Sequence, residues 1–347
     1  MQVSAKPFES AEYEEPSPGP WEAQEFEILD ANGALIGRAD SDADDADDPA
    51  LGRQMLANAE LMALAWSLKH EGEHSQSVIR LTRDLIEASR RLTVQEARFL
   101  VSAYYAMQED RIRADHRVRK MTEHSAPHEI VVWLASQRYI LERQVARALD
   151  AYSGSQPLGE WARSITGIGP IIAAGLLAHI DIARAPTVGH IWRFAGLDPT
   201  TVWSAKTKRP WNADLKRLCW LIGESFVKVS GRPSDTYGRI YKERKELETK
   251  RNEEGRFADQ AKAALGAKKY GEETDARKHY EAGRLPPARI HLRAKRYAVK
   301  LFLSHYHHVG YELLHGKPPP KPYIFTRPEH THYHAPPNWN GLAKAAE

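Results

Sequence analysis

A single cysteine, Cys219, stands among the 347 residues. It excludes an intrachain disulfide framework and any Cys-based zinc finger, and it suits a reducing compartment. Long apolar runs are also missing, since none approaches the roughly 18 residues needed to cross a membrane. The opening segment MQVSAKPFESAEYEEPSPGP is polar and Pro-rich, without the apolar stretch of a signal peptide. The expectation is a cytoplasmic protein with no membrane partner. A charge excess is lacking too: 49 Lys and Arg face 46 Asp and Glu, a net +3. That total selects no partner. With 42% hydrophobic and 27% charged residues, the composition still excludes a wholly disordered chain.

What the chain does have is charge sorted by position. Six aspartates fall between Asp40 and Asp48. This tract lacks the turn glycine and closing glutamate of a calcium loop, and it reads as a solvated linker. The stretch 206–217 (KTKRPWNADLKR) carries five basic residues and one acid, and 284–300 carries six basic residues and no acid. Near neutrality is therefore an average of acidic and basic regions, and local sign is what a nucleic acid would meet.

The periodicity predicts a mainly α protein: a helical bundle with a short N-terminal hairpin and a helix-hairpin-helix DNA-binding module. Residues 1–50 read as leader, hairpin and acidic linker, with Asn32-Gly33 as the hairpin turn signal. Residues 51–155 form a helical domain, with apolar spacings of three and four over 51–69, 74–91, 93–120 and 128–152. Thr93 and Glu96 make a capping box for the third of these. The hairpin module spans 156–232 and includes an apolar helix at about 213–229 that buries Cys219. A charged stretch, 233–283, has little core material and reads as one helix or a helical hairpin broken near Gly266 or Gly271. A basic helix covers 284–316, opened by Pro286-Pro287, and 317–347 is a Pro/His-rich tail.

The segment 158–180, LGEWARSITGIGPIIAAGLLAHI, is the most informative. A helix should end near Ile165, turn through Gly167-Ile168-Gly169, and restart with Pro170 at its first position, where a missing N–H costs nothing. Such a turn brings backbone N–H groups to the surface at a helix N-terminus, a site suited to phosphate. Leu158, Ile165, Ile168, Ile172 and Leu176 would lock the two helices, and Ala173, Ala174 and Gly175 would let them approach. The alternative is a plain packed helical turn. A metabolite-phosphate fingerprint is disfavoured, because a helix precedes the glycines and GxGxxG is incomplete.

Lys206, Lys208, Arg209, Lys216 and Arg217 are candidate phosphate contacts. Arg289, Arg293 and Arg296, spaced four and three apart, would form a basic stripe on the last helix, facing nucleic acid or solvent. Trp211 would either stack on a base or bury against the following helix. Trp192, Phe194 and Leu197 read as core. His116, His124 and His128 read as surface residues. The HxHxH tract of His330, His332 and His334 could ligate a metal if extended, but reads as weakly coordinating. No residues assemble into a metal site, and the cofactor stays open, with Mg2+ needed only if a metal-dependent nuclease site exists. Nothing supports a small-molecule enzyme.

Four blocks in this order, GIGPIIAAGLLAHI, IWRFAGLDP (191–199), WSAKTKRP (203–210) and LKRLCW (215–220), resemble the C-terminal domain of the IS110/IS116/IS902 transposase family over about 160–232. The resemblance implies DNA transposition or recombination, with DNA as partner, a guide RNA in some systems, and an expected homo-oligomer. It places Ser204 where the family carries a serine nucleophile, followed here by Ala205 rather than glycine. A loop serine bonding backbone or phosphate is the competing role. The family also implies a RuvC-like N-terminal domain with metal-binding acids. The first 150 residues lack the alternating strands of that fold, and although Asp30 follows an apolar run, no four-acid set assembles. Two function classes follow: a transposase-type recombinase, or a non-catalytic nucleic-acid-binding protein on the same scaffold.

Overall fold

The computed structural model describes residues 26–29, 35–39, 80–122, 127–201, 203–204, 206–320 and 334–341. The chain divides into two compact units, residues 1–78 with 113–139, and 79–112 with 140–347. In the first, β1 (Phe26–Leu29) pairs antiparallel with β2 (Leu35–Ala39), Phe26 opposite Ala39, with an irregularity at Ile28/Leu29. The expected hairpin is thus paired, while Asn32-Gly33 at its turn lies outside the described residues, as do Asp30, the aspartate tract and the 51–69 helix.

Eleven α-helices are described. They are α1 (Arg83–Ser89), α2 (Val94–Thr122), α3 (Glu129–Gly154), α4 (Pro157–Arg163), α5 (Pro170–His179), α6 (Val188–Phe194), α7 (Ala213–Lys228), α8 (Tyr237–Glu253), α9 (Ala258–Ala267), α10 (Asp275–Glu281) and α11 (Pro287–His315). Their ends follow local chemistry. Glu96 of α2 accepts from both the Thr93 N–H and hydroxyl at 2.7 Å, and Thr93 Oγ1 accepts from the Glu96 N–H, which closes the capping box. Asn212 Oδ1 accepts from the Leu215 N–H at 2.8 Å to start α7. Pro287 opens α11, and left-handed Gly316 (φ 67°) ends it.

In the second unit the core gathers on α11. Phe302, Leu303, Tyr306 and Val309 are fully buried against Trp161, Leu176, Leu215, Ile222, Phe226 and Tyr237. A second cluster joins Ala97, Val101, Leu149 and Tyr152 to Ala174 and Ala178 on the other side of α5. Cys219 is buried as expected, and burial pushes its thiol up to about 12.

The charged stretch differs from its expectation. It contains three helices, broken first at 254–257 around left-handed Gly255 and again at 268–274, which takes in the expected Gly271, while Gly266 lies inside α9. It also has core material. Tyr237, Ile240 and Tyr241 join the main core, and Phe257, Ala261 and Tyr280 build a small one with Leu285 and Ile290. Alternating charge concealed this because Glu248, only 1% exposed, serves three arginines, Arg244, Arg251 and Arg293. Paired charge is buried here as a hub.

Candidate nucleic-acid interface

The α4–α5 turn is formed by packing as well as by glycine. Gly167 sits at φ 95°, where an L side chain is strained, and a Cβ there would lie 3.2 Å from Ser225 Oγ and Val229. Ser225 Oγ donates to the Gly167 carbonyl, and Thr166 Oγ1 donates to the Ser234 carbonyl at 3.1 Å. Ile168 is buried, which anchors the turn from below. Gly169 is exposed, caps α5, and has open space where a Cβ would stand. Pro170 at the first helical position leaves the exposed side of the turn to backbone groups.

α4 ends at Arg163 with Ser164 as its cap, near the expected Ile165. One detail of the α4–α5 contact differs from the sequence reading. Gly175 does not serve the α4–α5 contact. A Cβ there would meet Leu218 of α7 at 2.9 Å, so this glycine admits α7. Gly159 is needed first against the Ser153 carbonyl of α3, and a Cβ there would also lie 2.9 Å from Leu177 of α5.

The loop from Asp198 to Asn212 carries Ser204 beside a tight turn. Lys206 adopts φ 71°, Thr207 Oγ1 donates to the Ser204 carbonyl at 2.8 Å, and Trp203 Nε1 donates to the Thr207 carbonyl at 3.0 Å. Ser204 Oγ is exposed and faces Thr207 Oγ1 at 3.5 Å. Lys206, Lys208 and Arg209 are exposed on the same loop.

Cations converge where this loop meets α7 and α11. Lys216 Nζ lies 3.9 Å above the half-buried Trp211 ring. Burial, then Arg296 and Arg209, hold its ammonium below the ordinary lysine value. Lys300 Nζ stands 4.0 Å over Trp192, whose Nε1 donates to the Lys300 carbonyl at 3.1 Å. Burial lowers the Lys300 ammonium, Asp198 opposes that shift, and Arg296 adds to it. Residues from three separate stretches thus form one cluster: Arg209, Lys216, Arg296 and Lys300. Trp211 takes a middle position between the two expected, with one face under Lys216 and Gly196 pressed against it.

Other expected contacts are engaged elsewhere. Arg217 is ion-paired with Glu109 of α2 and lies over Tyr105. Arg293 bonds Glu248 at 2.9 Å and stacks on Phe257. Arg289 is exposed and lies beside Tyr270. The stripe is therefore split, and only Arg296 joins the cluster. Trp192 and Leu197 are half-buried against the core, but Phe194 is 46% exposed, which corrects its reading as core. Its position at the end of a seven-residue helix, where its carbonyl accepts from Asn212, leaves the ring outside. Sequence reading missed Lys300 and Trp192 as partners, because 108 residues separate them.

His305 and His307 of the last helix are buried in the core. Tyr237 OH lies 2.6 Å from His305 Nδ1, and His305 Nε2 donates to the His334 carbonyl at 2.8 Å. His307 Nε2 donates to the Ala185 carbonyl at 2.7 Å. His116 and His128 are exposed, and His124, His330 and His332 lie outside the described residues. Among the described residues no group of three or more His, Cys, Asp or Glu is arranged to hold a metal. A small cavity of about 50 Å³ between α2, α5 and α7 is lined by Arg98, Ser102, Tyr105, His179, Asp214 and Arg217. No described helix is long and apolar enough to cross a membrane.

Residues 160–234 match the family model described as Transposase IS116/IS110/IS902 family. That match takes in α4 from Glu160, the hairpin turn, α5, α6, the Ser204 loop and α7. No curated protein and no solved structure matches the chain.

Proposed function

We propose that this chain is a DNA-binding protein of transposase type. The α4–α5 pair acts as a helix-hairpin-helix, offering the backbone amides around Gly169 and the start of α5 to one phosphate. The cluster of Arg209, Lys216, Arg296 and Lys300 holds neighbouring phosphates, assisted by Lys206 and Lys208 on the exposed loop. The observation that carries this reading is that cluster. Burial and crowded like charge together depress the two lysines, and Asp198 is the acid that tempers Lys300. A polyanion relieves that repulsion.

The test is binding of a labelled duplex across a salt series. Lys216→Ala/Arg296→Ala/Lys300→Ala should weaken binding and flatten the log–log salt slope by about 1 for each phosphate no longer neutralised. An unchanged slope rejects the interface.

Ser204 is the proposed nucleophile for strand transfer: its Oγ forms an ester bond to phosphorus as the P–O bond to the adjoining sugar breaks. The departing sugar oxygen takes up a proton to become a hydroxyl, Ser204 gives up its own, and Lys206, Lys208 and Arg209 stabilise the developing charge. The second reading, a nucleic-acid-binding protein without strand cleavage, is favoured by one observation. The described polar neighbour of Ser204 Oγ is the Thr207 hydroxyl rather than a histidine or carboxylate. A cleavage and strand-joining assay with Mg2+ and Mn2+ on DNA from the gene's own flanks separates the two. Ser204→Ala should abolish cleavage and keep duplex binding under the first reading. Wild-type protein that binds without cutting supports the second. Nucleic acid that copurifies with the protein would identify a guide RNA.

A further inference from the structure

The cationic cluster is interleaved with aromatic rings that a duplex would not use. Trp203 is 40% exposed, held by its Nε1 bond to Thr207 and set edge-on to Trp211 at 5.9 Å. Trp220 lies one turn beyond Lys216 on α7, is 54% exposed, and has Lys295 Nζ 5.2 Å from its ring. Lys216 lies over Trp211, which Trp203 touches, and Arg296 acts on Lys216 as a neighbouring like charge. In double-stranded DNA the bases are stacked inside, so a surface indole meets only sugar and phosphate. An unpaired strand offers base faces and phosphates together, which suits a surface where rings and cations alternate.

We propose that this face of the loop, α7 and α11 binds a single-stranded nucleic acid, with unpaired bases stacked on Trp203 and Trp220 and the intervening phosphates on Lys216 and Arg296. This deepens the proposed nucleic-acid function and rests on it. The chemistry is shared by unpaired DNA and RNA, because the rings read a base face and the cations a phosphate, and neither reads the sugar.

The experiment measures anisotropy of fluorescein-labelled dT20, U20 and a mixed-sequence 20-bp duplex with the full chain. The proteins are wild type, Trp203→Ala/Trp220→Ala, and Trp203→Phe/Trp220→Phe, each checked for folding by far-UV circular dichroism and thermal melting. Wild type should bind a single strand more tightly than the duplex. The alanine variant should lose single-strand affinity about tenfold or more, with duplex affinity within about twofold of wild type, and phenylalanine should restore most of the loss. Preference for dT20 or for U20 identifies the source, and either supports the proposal. Single-strand affinity unchanged in the alanine variant, or lost equally with duplex affinity, overturns it and leaves the rings to another occupant such as a protein surface. Wild type that binds the duplex alone overturns this inference and leaves the proposed function standing. Binding to none of the three overturns both.

Discussion

His305 shows what a single buried group contributes. Burial pushes its imidazole down from 6.5 to about 4, outweighing the bond to the His334 carbonyl, which pulls the other way. The folded value lies below the unfolded one, so the unfolded chain alone takes up a proton as pH falls from 6.5 toward 4. Stability from this group is full above pH 6.5 and declines through that window, by on the order of 3 kcal/mol. His179 and His307 are also held low by burial, so they add to the slope. Urea denaturation at pH 7 and pH 4.5 should show a smaller acid loss in His305→Gln than in wild type, and equal losses would refute the assignment. Gly167 is the second residue-scale case. Its φ of 95° and the contacts waiting for a Cβ predict that Gly167→Ala costs about 1–3 kcal/mol in the same denaturation assay.

At the scale of elements, α11 organises the second unit because it is long and its faces differ. One face buries Phe302, Leu303, Tyr306 and Val309, another offers Arg296 and Lys300 to the loop, and Gly310 lets Ile182 and Leu158 approach within 2.9 Å of a Cβ position. Gly310→Val should overfill that contact and lower stability by about 1–3 kcal/mol, read as a shift of the urea midpoint. The basic residues of α7 and α11 sort by their partners. Arg217 and Arg293 are held by Glu109 and Glu248, whereas Lys216 and Arg296 face each other as like charges. Arg217→Ala and Arg293→Ala should therefore leave the salt slope of duplex binding close to wild type. A slope reduced as far as in Lys216→Ala would show that the ion pairs open on binding.

On the scale of the whole molecule, residues 334–341 return to the body of the second unit. Trp161 Nε1 donates to the Pro337 carbonyl, Asn338 Nδ2 to the Ser164 carbonyl, and Trp339 Nε1 to Glu312, while His305 holds the His334 carbonyl. Two of these bonds end at α4 and its cap, so residues 337–338 steady that helix. Truncation after residue 333 leaves Trp161 and His305 without those acceptors, and an unpaired buried polar group costs about 1–3 kcal/mol. The truncated protein should melt at a lower temperature than the full chain, and an equal melting temperature would refute the role of this strap.

Local chemistry was legible in the sequence wherever neighbours along the chain decide it. The Thr93–Glu96 box, the proline start of α11 and the glycine turn before Pro170 each depend on a few adjacent residues, α2 and α3 followed from apolar spacing, and α7 followed from its apolar run. The sequence alone therefore determined a helical protein with a glycine turn before a proline-started helix, and a basic loop after it. Tertiary structure decided which charges are free. Arg217 and Lys216 are adjacent in sequence, yet one is neutralised by Glu109 and the other faces Arg296, because helical geometry turns neighbours about 100° apart. The buried acid Glu248 likewise takes up Arg293 and leaves Arg296, and Lys300 reaches Trp192 only through packing across the core. Composition counts charges, but ion pairing and distance settle which of them stay open to a partner.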